Sequence, residues 1–349
     1  MAAGKVFTLG QQDIAPGTRA GVDLPVSVLS NHTPMTLPVH VINGRRAGPT
    51  LFVSAAIHGD EIIGVEIVRR LLQLPRLNRI RGRLIAVPIV NAYGFISHSR
   101  YLPDRRDLNR SFPGSATGSL AAQLAHIFMT EVVMKSDFGI DLHSAAVHRI
   151  NLPQIRVSAT PSNLRTLELA EVFGASIIIK SPLRPGSLRA VAQEAGVDML
   201  LFEAGEALRF DEIAIRAGVA GILRVMKALG MVASSPAPAR VRPLVSNSTF
   251  WLRAPEGGIL RAFKSVGASV DKDEVIAVVS DPFGEKEFEV SSHEPGLIIG
   301  RDNLPVVNMG DALFHIARTT RPAAAAEKSV SEVEAALQAD PMFDEDEIV

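Results

Sequence analysis

Apolar residues recur along this chain in two rhythms, and their alternation predicts a fold class before any chemistry is considered. Leu24-Pro25-Val26-Ser27-Val28-Leu29 and Leu37-Pro38-Val39-His40-Val41-Ile42 alternate or run apolar, and Asn43-Gly44 closes a turn behind the second. Residues 51–57 and 83–90 are nearly unbroken apolar runs, the signature of strands buried on both faces. The spacing then turns helical, with Val65, Ile67, Val68, Leu71 and Leu72 inside 64–74, and again over 120–133, 164–173, 188–194 and 213–229. Further strands are predicted at 138–142, 175–179 and 198–202. Strand alternating with helix implies the α/β class: a mixed, mostly parallel sheet with right-handed crossovers and helices on both faces.

The rhythm stops at Ala233-Ser234-Ser235-Pro236-Ala237-Pro238-Ala239, a composition typical of a linker or domain joint. Residues 240–318 show no helical spacing, only short apolar runs punctuated by glycine, which predicts a small all-β barrel or sandwich. Beyond Thr319 Ala, Glu and Asp dominate, ending in Asp344-Glu345-Asp346-Glu347, with room for a short helix over 330–337. The expected organisation is a catalytic domain over 1–234, a β domain over 235–320 and an acidic, mobile tail over 321–349.

Composition narrows the chemistry. At 349 residues there is material for two domains with a large core. A net charge of −1 gives no reason to expect nucleic acid or an anionic membrane as partner. The absence of cysteine removes disulfides, thiolate ligands and a cysteine nucleophile together, so a transition metal would be held by His and carboxylate, which suits zinc. The first residues lack the apolar core of a signal peptide and no run reaches the length of a membrane span, so a cytoplasmic address is expected.

Candidate chemistry sits where two apolar runs end. His58-Gly59-Asp60-Glu61 follows the run 51–57, and His143 follows Phe138-Gly139-Ile140-Asp141-Leu142. Two His and a carboxylate, with His-x-x-Glu spacing and a distant second His, form the three-ligand set of a catalytic zinc site with an open fourth position. A solvated turn is the plain alternative for His-x-x-Glu alone, but the ends of strands in open α/β sheets are where active sites collect. Between the two His sites lies an arginine-rich segment, residues 100–114, which could grip a substrate carboxylate or steady an oxyanion, or be a solvated basic loop. Glu203, at the end of the run Leu200-Leu201-Phe202, is a candidate general base, with Glu206 three residues on.

In sequence order, His58-Gly59-Asp60-Glu61, Asp107-Leu108-Asn109-Arg110, Asp141-Leu142-His143 and Phe202-Glu203-Ala204-Gly205 resemble the motifs of the succinylglutamate desuccinylase/aspartoacylase family, within the zinc-carboxypeptidase-like fold. The resemblance covers about residues 25–230. It implies His58, Glu61 and His143 as ligands of one zinc ion per chain and Glu203 as general base. Asn109 and Arg110 resemble the pair that holds a substrate carboxylate, with Arg110 expected to be buried. Arg100 resembles the arginine that polarises the scissile carbonyl, with Arg105 an alternative because the alignment there needs a short insertion. The run Asn151-Leu152-Pro153-Gln154-Ile155-Arg156 is similar to less-characterised bacterial members and receives no role. The sequence departs from the family in one respect: its only tyrosines, Tyr93 and Tyr101, are early, whereas the family contributes a late one to its site. Residues 258–298 resemble a biotinyl/lipoyl-like barrel without the carrier's Met-Lys pattern, so an unmodified lid or assembly domain is expected.

The resemblance implies a zinc-dependent amidohydrolase acting on a small N-acyl amino acid or related N-acyl amine, working as a homo-oligomer. Its rivals are a metallocarboxypeptidase acting on peptides and a metal-binding assembly protein without catalysis, the last disfavoured by the intact Glu203.

Overall fold

The computed structural model describes residues 3–28, 30–158, 164–233, 242–319 and 322–339. Ser234 to Ala239 of the linker and the acidic run 344–347 lie outside the described residues.

A hairpin of β1 (Phe7–Leu9) and β2 (Gln12–Ile14) opens the chain. It is followed by β3 (Thr18–Val28), β4 (Pro34–Asn43), β5 (Arg46–Ala55), α1 (Ile63–Gln73), β6 (Arg81–Val87), α2 (Ala92–Ile96) and α3 (Leu120–Glu131). Then come β7 (Phe138–Ala145), β8 (Arg149–Val157), α4 (Leu164–Phe173), β9 (Ile177–Lys180), α5 (Leu188–Glu194), β10 (Asp198–Glu206) and α6 (Glu212–Ala228). The centre of the sheet is the parallel set β6-β5-β7-β10, with β4 and β3 added antiparallel on one side.

Alternation along the central strands explains the two layers of helix. Leu51, Val53 and Ala55 of β5 and Leu84 and Ala86 of β6 join one core with Ile63 and Ile67 of α1, Phe173 of α4 and Ile222 of α6. Their neighbours Phe52, Ile85 and Val87 point to the other face, against Leu124 and Phe128 of α3 and Leu188 of α5. Strands with helices on both faces therefore read as continuous apolar runs. No helix among the described residues is long and apolar enough to cross a membrane.

Two strand ends differ from expectation. β7 continues past His143 to Ala145, and β10 continues past Phe202 to Glu206. His143 and Glu203 are therefore inside their strands, paired across the ladder. In β10 the register shifts between Glu203 and Glu206, and Gly205 takes φ +69° there.

β8 is a strand the pattern did not predict, as are the short β1 and β2. It pairs antiparallel with β10 and parallel with β9. On the side it shares with β9, its first residues meet the C-terminal part directly.

That part contains β11 (Leu244–Ser246), β12 (Thr249–Arg253), β13 (Gly258–Ala262), β14 (Ser269–Val270), β15 (Val275–Ser280), β16 (Glu287–Ser291), β17 (Gly296–Asp302), β18 (Val306–Val307) and β19 (Ala312–Ala317). The sheet β16-β15-β13-β18 faces the sheet containing β12, β19 and β17 across a core of residues such as Leu260, Ile276, Val279, Ile298 and Phe314. β17 hydrogen-bonds to β8, so one 13-stranded sheet runs through both parts of the molecule.

The tail expectation needs correcting. Residues Ala323–Gln338 form α7, which buries Ala326 and Val330 beside Leu297 and Ile299 of β17 and Leu337 in the main core. Small and apolar residues at positions 326, 330, 333 and 337 give this segment a face to bury, which the abundance of Ala and Glu conceals.

Candidate active site

The loop after β5 turns sharply. Ala56 has φ +52°, and a Cβ on Gly59 would come within 1.9 Å of the Gly94 backbone, so only glycine fits between His58 and Asp60. This close approach seats His58 and Glu61 over the end of the sheet, beside His143 on β7. One ligand atom from each of the three buried residues lies within 4.8 Å of the others.

Both imidazoles turn Nδ1 inward: His58 Nδ1 is 2.7 Å from Glu61 Oε1, and His143 Nδ1 is 2.7 Å from Glu61 Oε2. Each turns Nε2 outward to a carboxylate, His143 to Asp141 Oδ2 at 2.7 Å and His58 to Asp107 Oδ1 at 3.2 Å. Asp141 is itself fixed by the Ser54 hydroxyl at 2.7 Å. This is how metal-ligating histidines are held, with the rear N–H donated to a carboxylate so that the other nitrogen is free to bind.

The electrostatics agree. Burial opposes charge on His58 and His143, yet Glu61 and Asp107 raise the first, and Asp141 and Glu61 raise the second well above its ordinary value. Burial also opposes charge on Glu61, but the two imidazoles hold it well below the usual carboxylate range. The arrangement stabilises positive charge between these three side chains, so the donor set fits a bound divalent cation.

Arg100 lies against the same cluster. Its Nη1 is 3.3 Å from Glu61 Oε1, and its Nη2 donates to Asp107 Oδ2 at 3.0 Å. Arg105, the alternative, is exposed with φ +61° and is not part of the cleft wall.

The cluster opens into a cleft of about 470 Å³, lined on one side by β7, β8 and β10 and on the other by Thr249, Trp251 and His315 of the β part. That is ample for a small ligand. Trp251 stacks on His315 at 4.3 Å, so these two side chains, not a late tyrosine, form the far wall.

Glu203 faces this cleft, its Cα paired with that of His143 across β10 and β7. Glu206 has other work: it accepts from the His148 backbone N–H at 3.0 Å and from Asn303 at 2.9 Å, joining β10 to the end of β17. Asn109 is buried and its Oδ1 accepts from the Leu188 N–H at 2.9 Å. Arg110 lines the cleft, but it is exposed at the mouth and not buried as expected.

The residue that the sequence pattern concealed is Arg189. It is buried in α5 and lines the cleft, with Nη2 bound to Ser181 Oγ at 3.0 Å and the Pro182 carbonyl at 3.1 Å. Its Nη1 is buried without a hydrogen-bond partner. Burial, then the charges of Arg156 and Arg184, lower its pKa to about 10, so it stays charged at neutral pH. An unpaired buried guanidinium N–H at a cleft wall calls for an acceptor from outside the chain. No local sequence signal marks it, since α5 also carries the polar Gln193 and Glu194.

Six arginines line the cleft (Arg100, Arg110, Arg149, Arg156, Arg184 and Arg189) against two carboxylates, Glu61 and Glu203. Glu61 is engaged by the imidazoles and Glu203 lies 3.0 Å from Arg156. Among the described residues no carboxylate lies within ion-pairing distance of Arg110, Arg149, Arg184 or Arg189.

A cleft with a His-Glu-His donor set at the end of a mixed α/β sheet defines a metallohydrolase-like architecture. The family model for the succinylglutamate desuccinylase/aspartoacylase catalytic domain matches residues 47–229, and the chain belongs to that family. It is 28% identical over 292 residues to an N-alpha-acetyl-L-2,4-diaminobutyric acid deacetylase of Halomonas elongata, covering 80% of this chain and 85% of that one. A succinylglutamate desuccinylase/aspartoacylase from Rhodobacter sphaeroides superposes with a TM-score of 0.77 at 25% identity, over 86% of this chain and 96% of its own. The ectoine utilization protein EutE (DoeB) of Ruegeria pomeroyi shares the fold, with a TM-score of 0.79 at 22% identity over 91% of this chain and 100% of its own.

Proposed function

We propose that this protein is a zinc-dependent deacylase that hydrolyses the amide bond of a small N-acyl amino acid, with a preference for anionic substrates. The His58-Glu61-His143 cluster opening onto an arginine-lined cleft carries the reading. Family membership and the related deacetylase support it.

His58, Glu61 and His143 would hold the metal, which when bound supplies a Lewis acid and makes water a nucleophile near neutral pH. Glu203 takes the proton from the attacking water and returns it to the amine nitrogen as the C–N bond breaks, leaving the acyl group as a carboxylate. Arg100, directly beside the cluster, donates to the oxyanion that develops on the carbonyl oxygen. Arg189 anchors the carboxylate of the amino-acid half, with Asn109 shaping the cleft beside it and Arg110 and Arg184 adding positive charge at the mouth.

This cleft disfavours a free ammonium on the substrate, because its two carboxylates are already engaged. N-acetyl-L-glutamate should therefore be turned over faster than N-acetyl-L-2,4-diaminobutyrate. Removing the carboxylate that meets a buried arginine costs about 2–5 kcal/mol. The α-carboxylate form should thus exceed its α-amide by roughly 30-fold or more in kcat/KM. Arg189→Ala should erase most of that preference and Arg110→Ala less of it, since Arg110 is exposed. Steady-state kinetics on the acid and amide pair decide the matter. Equal rates on both would refute carboxylate recognition, and faster cleavage of short peptides would make the protein a peptidase.

A further inference from the structure

The motif Asn151-Leu152-Pro153-Gln154-Ile155-Arg156 lies on β8, which runs antiparallel beside β10 with Gln154 opposite Glu203 and Asn151 opposite Gly205. Gln154 has no solvent exposure, and its Nε2 donates to Glu203 Oε2 at 3.2 Å. Asn151 Nδ2 donates to the same oxygen at 3.3 Å. Arg156 Nε lies 3.0 Å from that oxygen, but its N–H is not aimed at it, so Arg156 acts there as a charge and not as a hydrogen-bond donor. Three polar groups thus converge on Oε2. Oε1 meets no donor among the described residues and stays open to the cleft.

We propose that Asn151, Gln154 and Arg156 are positioning residues that pin Oε2 of Glu203 and so present Oε1 as the proton-accepting atom. The inference rests on Glu203 being the general base. The strongest sign that Gln154 serves this purpose is what it leaves unsatisfied: its own Oε1 is buried without a partner. An apolar side chain of that size would avoid the unmet acceptor, so the amide is explained by what its N–H holds.

The β part contributes to the same arrangement. Across β8, Asn151 is opposite Gly300 of β17, and Gly300 is opposite His315 of β19. A Cβ at position 300 would sit 2.7 Å from Asn151 Oδ1, while its other nearest atoms would be at 3.4 Å. Any side chain there pushes the Asn151 amide and little else. Gly300 therefore keeps the room in which Asn151 reaches Glu203.

Gln154→Met, which keeps volume but removes the donor, and Asn151→Ala should each lower kcat for N-acetyl-L-glutamate by about 10- to 100-fold. KM, zinc content and melting temperature should change little. Gly300→Ala should give a smaller loss of kcat, although residue 300 does not touch Glu203. In a Glu203→Gln background none of the three should lower turnover by more than about twofold, because residues acting through one group are not additive. If Glu203→Gln keeps full turnover, the base itself is misassigned. If Glu203→Gln loses turnover but Gln154→Met and Asn151→Ala keep theirs, or if their losses persist undiminished beside Glu203→Gln, the base stands and the positioning role is overturned. Crystal structures of Gln154→Met and Gly300→Ala give a readout free of substrate. The Glu203 carboxylate should move or split in the first and the Asn151 amide in the second; an undisturbed Glu203 in Gln154→Met would sink the proposal.

Discussion

Asp141 shows how much of the site is decided one atom behind the His58-Glu61-His143 cluster. It is fully buried, accepts from Ser54 on one oxygen and from His143 on the other, and so fixes which imidazole nitrogen faces Glu61. Asp141→Asn keeps the shape but replaces an acceptor with an amide that cannot hold the same tautomer. It should weaken zinc binding by about 10- to 100-fold, measured by competition with a chelator, with the fold intact. Unchanged affinity would mean that the His143 ring is oriented by packing alone. His58, Glu61 and His143 were legible in the sequence because they lie at the ends of apolar runs, and Asp141-Leu142-His143 places two polar side chains on one face of a strand at period 2. Arg189 was not legible. Its burial in a cleft wall depends on α5 packing beside the loop at Ser181 and Pro182, a tertiary fact without a local signature.

At the scale of elements, α1, α3, α4, α5, α6 and the central strands followed from periodicity, because each buries an apolar stripe or an apolar run. β8 did not follow, because its polar side chains break the apolar pattern. Asn151, Gln154 and Arg156 place polar groups where an ordinary strand would show apolar ones, and those groups meet Glu203 instead of solvent. Helix α7 was legible only as a short helix over 330–337: the composition suggests a solvated segment, while a few apolar residues carry the docking of the full Ala323–Gln338. Leu337 is 3% exposed and packs in the main core. Leu337→Ala should lower stability by about 2–5 kcal/mol, seen as a reduced urea midpoint without a change in slope. No shift in midpoint would show that α7 does not dock in solution.

Across the whole molecule, the continuous sheet makes the two parts dependent on one another, and His315 links their stability to pH. It is buried on β19, stacked on Trp251 and bonded through Nε2 to Thr249 Oγ1 at 2.8 Å. Burial first, and then the nearby charges of Arg156 and Arg149, lower its pKa to about 3. The folded protein thus keeps His315 neutral, whereas the unfolded chain takes up a proton below about pH 6.5. Its contribution is intact above the unfolded value and is lost progressively as pH falls towards the folded value of about 3. Between pH 6.5 and 5 that loss should amount to about 2 kcal/mol. His315→Gln keeps a hydrogen-bonding side chain without the titration, so wild type should lose more stability than the variant over this interval. Trp251 is the chain's single tryptophan and touches His315, so urea unfolding followed by its fluorescence at both pH values reads the difference where it arises. Parallel curves for the two proteins would show that protonated His315 is accommodated in the folded sheet.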